Sequence, residues 1–562
     1  MMRRYLLFLL AFIGTGCASA PRAREGGAYD MLILNGRIVD GTGSPWYRGD
    51  VAIRGDRIAA VGLLRGARAR DTIDASGLVV TPGWIDMLGH SEYPLLTDGR
   101  ALSKITQGIT TEITGEVTSV VPVNERTLRE LGFARNNRVD WTDLNGYFRR
   151  LEQGGSAINL ATYVTVGSVR RYVMGDANRA PTAAELSQMR ELVAQAMQQG
   201  AIGLSTGMIY APATYASTEE IIELAKVAAR YGGGYASHIR SEGARLVEAV
   251  NEAVAIGEAA HTWVQIHHLK ASGKANWGKM GAAVAAIEAA RARGVDVSAD
   301  QYPYRASSTG LDAIIPSWAH AGGTDSLVAR LQDSATRARL TAEIMGPEQR
   351  DELIGESSGG PAGVMLAGFR TDSLRKYNGM LLSDVALQRN QPAIDVVYDL
   401  LIADSAATQA IYFSMAEEDI ELAMKQPWVS VGIDAGARDT ILTSHPHPRA
   451  FGAFPRILCH YVRERGVITL PDAIRKFTSL AAARVGLADR GVLKAGMHAD
   501  LTIFDEARVC DRATFENPVQ TAVGIQHVLV NGVPVVRDAR VTGARSGRGL
   551  RRSAAAALPP NP

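Results

Sequence analysis

The stretch Thr81–Glu92, TPGWIDMLGHSE, decides how the rest of the chain is read. A short apolar run that starts at Trp84 ends in His90, followed by the polar pair Ser91 and Glu92. A parallel strand that is buried on both faces and carries a metal ligand at its C-terminal tip reads this way.

The same pattern recurs downstream, with apolar runs alternating with amphipathic helical stretches, which argues for parallel βα units. Eight strands are expected: β1 Trp84–His90, β2 Ile109–Gly115, β3 Ile158–Thr165, β4 Ala201–Thr206, β5 Gly234–His238, β6 Trp263–His268, β7 Val295–Asp300 and β8 Trp428–Asp434. Between them TAAELSQMRELVAQAMQQG and TEEIIELAKVAARYGG read as helices, the latter opened by a Ser/Thr cap. The implied fold class is α/β, a (β/α)8 TIM-like barrel over residues 81–488. One connection is abnormal: 127 residues, 301–427, separate β7 from β8, far more than a βα link requires. Helical pieces such as TDSLVARLQDSATRARLTAEIM predict an inserted, substrate-facing subdomain over about 310–425.

The flanks follow a period of two. YDMLILNGRIVDGTG alternates around Asn35-Gly36, the strongest short hairpin signal, and QHVLVNGVPVVRDARVTG repeats it at Asn531-Gly532. Each end alone is too short to bury a core, so residues 28–80 and 489–545 are expected to combine into one small β-sandwich. Residues 546–562, low in complexity, read as a disordered tail.

A formal net charge of +2 gives no global pull towards nucleic acid, and 46% hydrophobic residues is an ordinary globular composition. The first 20 residues have a basic start, an apolar run from Tyr5 to Ile13 and then small residues, the form of a bacterial export signal. The run is too short to span a bilayer. GTGC resembles a lipoprotein-processing box, so a lipid anchor at Cys17 is expected, with plain secretion or a retained anchor as alternatives. Either way the mature chain is expected outside the cytoplasm, in the periplasm or attached to the outer membrane. Cys459 and Cys510 then remain and read as small buried hydrophobes.

Functional side chains of such a barrel collect at the strand C-termini. Those tips present His90, Glu116, His238, His268 and Asp434, in a chain with only 11 histidines. Imidazole and carboxylate donors suit zinc, with Mn or Fe admissible on geometry alone.

Together with TPGWID, YASHIRSEG, IHHLKASG, DQYPY, SHPHPRAFGAFPR and AARVGLADRGVLKAGMHADLTIFD, this constellation resembles the amidohydrolase superfamily, and within it the D-aminoacylase (N-acyl-D-amino-acid deacylase) family, from about Asp30 to Gly532. The resemblance implies that His238 and His268 are tight zinc ligands, with His267 at a position the family usually fills with serine. It implies that Asp434 takes the proton from the attacking water and gives it to the leaving amine. It implies that Arg449 grips the substrate α-carboxylate, with Tyr302, Ser308 and Lys270 as further substrate-binding positions. Two departures stand out. The family's His-x-His is Leu88-Gly89-His90 here, and its metal-bridging cysteine is replaced by Val117, with Glu116 beside it as the natural substitute ligand. β4 ends GLSTGMIY, without the lysine that carboxylated-lysine centres need.

The expectation is one tightly bound zinc on His238, His268 and Glu116, with His90 and Asp434 completing a weak second site or orienting water and substrate. The expected reaction is hydrolysis of a small N-acyl-D-amino acid, without nucleic acid partners. The alternatives are a related amidohydrolase acting on dipeptides or other carboxylate-bearing amides, and a non-catalytic envelope lipoprotein retaining the fold.

Overall fold

The computed structural model describes residues 29–130, 139–346 and 360–552. The apolar runs form strands because both of their faces are covered: every residue of β2 (Ile109–Thr114), β4 (Gly203–Gly207), β5 (Gly234–His238) and β7 (Val297–Gln301) is buried. The others are β1 Trp84–Asp86, β3 Asn159–Thr162 with its continuation Val164–Thr165, β6 Val264–Ile266 and β8 Val429–Val431. All pairings between them are parallel and follow chain order, β1-β2-β3 in one sheet and β3-β4-β5-β6-β7-β8 in the next. β8 returns to β1: Met87 N donates to Val431 O (2.9 Å) and Asp434 N to Leu88 O (2.7 Å). The helix Ala183–Gln198 starts on a capping box between Thr182 and Glu185, and Thr218–Arg230 on the Ser217 cap.

A buried ion triad fixes the junction of β1 with β8. Lys104 Nζ lies 2.8 Å from Asp86 and 3.1 Å from Glu112, all three side chains without solvent exposure. Asp86 also accepts from Ile433 N, while Glu112 accepts from Ser91 N and Oγ, one residue past His90. A side chain at Gly89 would lie 1.9 Å from Glu112 Oε1, which explains the glycine before the histidine.

The insertion builds its own core. Strands Ser307–Gly310, Gln409–Tyr412 and Val364–Gly368 form an antiparallel sheet, covered by Thr324–Gln332, Ser334–Ile344 and Ala393–Ala403 through residues such as Leu327, Leu366 and Leu400. The two chain ends share one nine-stranded sheet, in which Leu501–Phe504 pairs with Val79–Pro82. No helix of the described residues is long and apolar enough to cross a membrane.

Three expectations are corrected. Asn35-Gly36 is not a hairpin turn but a bulge inside the single strand Tyr29–Ile38. Asp50 accepts from Asn35 N, and a Cβ at Gly36 would meet Val80 at 2.6 Å, so the close neighbour, not a turn, requires the glycine. Asn531-Gly532 does turn, between Ile525–Val530 and Val533–Arg537, with φ of 50° and 81°. Second, residues 546–552 of the expected tail are ordered. Gly547 N donates to Ser156 O and Leu550 N to Leu160 O, and a Cβ at Gly547 would lie 2.0 Å from Ile158 O, so its glycines serve close backbone approach. Third, Cys459 and Cys510 form a disulfide. Residues 1–28, including Cys17, lie outside the described residues.

Replacing Lys104 with Met leaves Asp86 and Glu112 buried without their cation, and is expected to cost about 3–5 kcal/mol, read as a lower denaturation midpoint at unchanged slope.

Candidate active site

A cavity of about 700 Å3 opens at the strand C-termini, lined by all nine sequence-predicted residues, from His90 to Arg449. At its floor the Glu116 carboxylate gathers three imidazoles from distant parts of the chain. Oε1 lies 2.9 Å from His238 Nδ1 and 2.7 Å from His268 Nε2, and Oε2 lies 3.3 Å from His90 Nε2. His90 Nε2 also meets Asp434 Oδ1 at 2.9 Å. Burial works to raise the Glu116 pKa, but the His268 charge and hydrogen bonds from all three histidines outweigh it and hold the carboxyl well below its ordinary range. Asp434 follows the same logic: burial is overcome by Arg449 and His90, which bring it to about 2.

The donor set fits a metal. Glu116, His238 and His268, all buried, offer ligand atoms within 4.8 Å of one another, and His90, Glu116 and Asp434 do the same around the other carboxylate oxygen. The two groups share Glu116, so the residue before Val117 supplies what a bridging ligand would. Leu88, in contrast, is buried against Gly432 and away from the cavity, and nothing replaces a histidine there. Buried imidazole nitrogens with a carboxylate suit zinc.

Neighbouring side chains orient the donors. Glu242 Oε1 sits 3.0 Å from His268 Nδ1 and also pairs with Lys270, turning His268 Nε2 inward. Asp300 Oδ1 accepts from His268 N at 2.8 Å, where the backbone is left-handed (φ 34°), and Oδ2 lies 3.0 Å from His267 Nδ1. His267 is thereby committed to Asp300 and takes no part in the donor cluster.

At the wall, Arg449 Nη2 donates to Ser308 O, Nη1 lies 2.8 Å from Asp434 Oδ2, and the guanidinium covers the Tyr302 ring at 4.6 Å. Arg449 N is received by His447 Nδ1 at 3.0 Å. Arg449 Nε and the Tyr302 hydroxyl are both buried without a hydrogen-bond partner. The Ser308 hydroxyl donates to Ala410 O, and the Ser308 carbonyl is the acceptor that holds Arg449 Nη2. Lys270 is likewise engaged, with Glu242 and the His268 ring.

Glu242, Asp300 and His447 escaped the sequence reading. Each stands inside or beside a quoted motif, YASHIRSEG, DQYPY and SHPHPR, but their orienting roles depend on contacts across the fold.

The parallel strands and this donor set define an α/β protein with a metal-binding hydrolytic type of site. A model of the amidohydrolase family matches residues 71–536, and the chain belongs to that family. A D-aminoacylase of Alcaligenes xylosoxydans xylosoxydans is 38% identical over 535 residues, 94% of this chain and 98% of its own length. A solved N-acyl-D-glutamate deacylase from Bordetella bronchiseptica, complexed with zinc and a phosphonate mimic of the tetrahedral intermediate, superposes with a TM-score of 0.79 at 33% identity, covering 93% of this chain and 100% of that one. A solved D-aminoacylase with a binuclear metal centre, activated by one metal and attenuated by the second, gives 0.78 at 36% identity with the same coverage.

Glu116→Ala removes the ligand common to both donor groups and is expected to lower bound metal per chain at least about tenfold at limiting metal, measured by elemental analysis after dialysis.

Proposed function

We propose that the protein is a zinc-dependent hydrolase of N-acyl-D-amino acids, exported from a bacterial cytoplasm. The observation that carries this reading is the pair of unspent buried donors, Arg449 Nε and the Tyr302 hydroxyl, on residues that line the same cavity as the shared carboxylate Glu116. Buried donors without acceptors are costly, and a substrate α-carboxylate satisfies both, against a planar fork suited to it. The similarity to a D-aminoacylase and an N-acyl-D-glutamate deacylase supports the amide class and the D configuration.

Zinc held by His238, His268 and Glu116 would supply polarisation of the amide carbonyl and a lowered pKa for the attacking water. The chain's own residues do the rest. Asp434, held as a carboxylate by Arg449 and His90, accepts a proton from the attacking water. It then delivers that proton to the amine as the C–N bond breaks, so one amide and one water give one carboxylate and one D-amino acid. His90 holds Asp434 Oδ1 towards the donor cluster. The tie between Arg449 and Ser308 fixes the carboxylate end of the substrate to the insertion.

The parallel strands, closed by the β8 to β1 hydrogen bonds, support a (β/α)8 barrel, and the nine-stranded sheet with its own apolar cluster supports a small sandwich-type domain made by both ends. The Cys459–Cys510 disulfide supports an oxidising compartment, in line with an export signal in residues 1–20 and a lipid at Cys17.

Purified protein carrying zinc is expected to hydrolyse N-acetyl-D-amino acids in preference to their L enantiomers, and no turnover of either would support the non-catalytic reading. Asp434→Asn is expected to lower kcat by about a hundred- to ten-thousandfold while metal content stays near that of the parent.

A further inference from the structure

The wall that the insertion turns to the cavity carries one charged residue among the described residues, Asp312; the rest of that wall is uncharged. Asp312 sits in the turn Leu311–Ile314, directly after the strand Ser307–Gly310, whose pairing with Gln409–Tyr412 sets its place. The nearest cationic group to its carboxylate is His320 Nδ1 at 3.8 Å, too far for a hydrogen bond, and His320 Nε2 is turned to Ile315 O. Burial raises the Asp312 pKa, with His320 and a hydrogen bond from its own backbone pulling the other way. The side chain keeps 32% of its surface exposed.

Two further contacts link this carboxylate to the reacting centre. Tyr210 packs edge-on against His238, with ring centroids 5.2 Å apart, and its hydroxyl lies 2.8 Å from Thr309 Oγ1, three residues before Asp312. Asp312 and Tyr210 also line a second chamber of about 240 Å3 that adjoins the cavity. A group attached to a substrate at the donor cluster therefore has room beyond Tyr210. The chamber is also lined by Arg171, whose guanidinium is held by Asp176 at 2.9 Å, and by His320, so Asp312 is the carboxylate there without an arginine or lysine partner.

We infer that Asp312 forms an anionic subsite selecting substrates that carry an ammonium group, an inference that rests on the hydrolysis proposed above. The ammonium has two sources: the side chain of a D-lysine-type residue, or the free amine of an aminoacyl group, which makes the substrate a dipeptide ending in a D-residue. In both, the ammonium donates to the Asp312 carboxylate while the α-carboxylate goes to Arg449.

The test compares kcat/KM of the zinc-loaded full-length enzyme within two pairs: N-acetyl-D-lysine against N-acetyl-D-norleucine, and glycyl-D-leucine against propanoyl-D-leucine. One pair should favour the cationic member by about tenfold or more, the scale of a hydrogen-bonded ion pair, and the pair that does so identifies the source. Asp312→Asn should bring that ratio towards one, and Asp312→Lys should shift preference to N-acetyl-D-glutamate. Wild-type ratios near one in both pairs, which need no variant, overturn the subsite while leaving hydrolysis standing, as does a preference that survives Asp312→Asn. Absence of turnover on all four substrates overturns both readings.

Discussion

The site depends on one carboxylate. Glu116 is buried, and a charge there is tolerable only because three imidazoles surround it. Because those imidazoles come from β1, β5 and β6, the carboxylate sets a requirement on the whole array: the strands must be short, parallel and in register, so that their ends arrive at one point. Val117 cannot meet that requirement, and its neighbour does so by turning inward at the end of β2.

The surroundings can be understood as what holds that point still. The Lys104 triad anchors the loop that presents His90, Asp300 locks the strained backbone of His268, and Glu242 turns its ring. Arg449 is held from both sides, by Ser308 of the insertion and His447 of its own loop. Arg449 opens the helix Arg449–Arg456, which continues into the Ile457–Glu464 segment containing Cys459, and the disulfide then ties that segment to Cys510. The insertion, the strand tips and the C-terminal part thus meet around one guanidinium, so the substrate end of the cavity depends on segments far apart in sequence.

Where expectation and structure diverged, the cause was a long-range contact. Asn35-Gly36 satisfies every local criterion for a hairpin, yet Val80 and Asp50 hold it as a bulge within one strand. The glycines after Arg545 suggest low complexity in isolation, but Gly547 against Ile158 and Gly549 against the Phe148 ring are needed for contact. Cys459 and Cys510 are 51 residues apart, and pattern alone does not pair them.

Hydrophobic period and capping residues were enough to place eight strands, the insertion and the strand-tip residues His90, Glu116, His238, His268 and Asp434, because burial on both faces of a parallel strand leaves a continuous apolar signature and ligands follow at its ends. Arg449, Tyr302, Ser308 and Lys270 were reached only through the family resemblance. What only the tertiary structure decided was which polar groups face one another: that one carboxylate serves three histidines, that His267 is spent on Asp300, and that Arg449 Nε and the Tyr302 hydroxyl are left unpaired. Such pairings are set by side-chain directions across non-adjacent strands, for which a linear sequence carries no local signal.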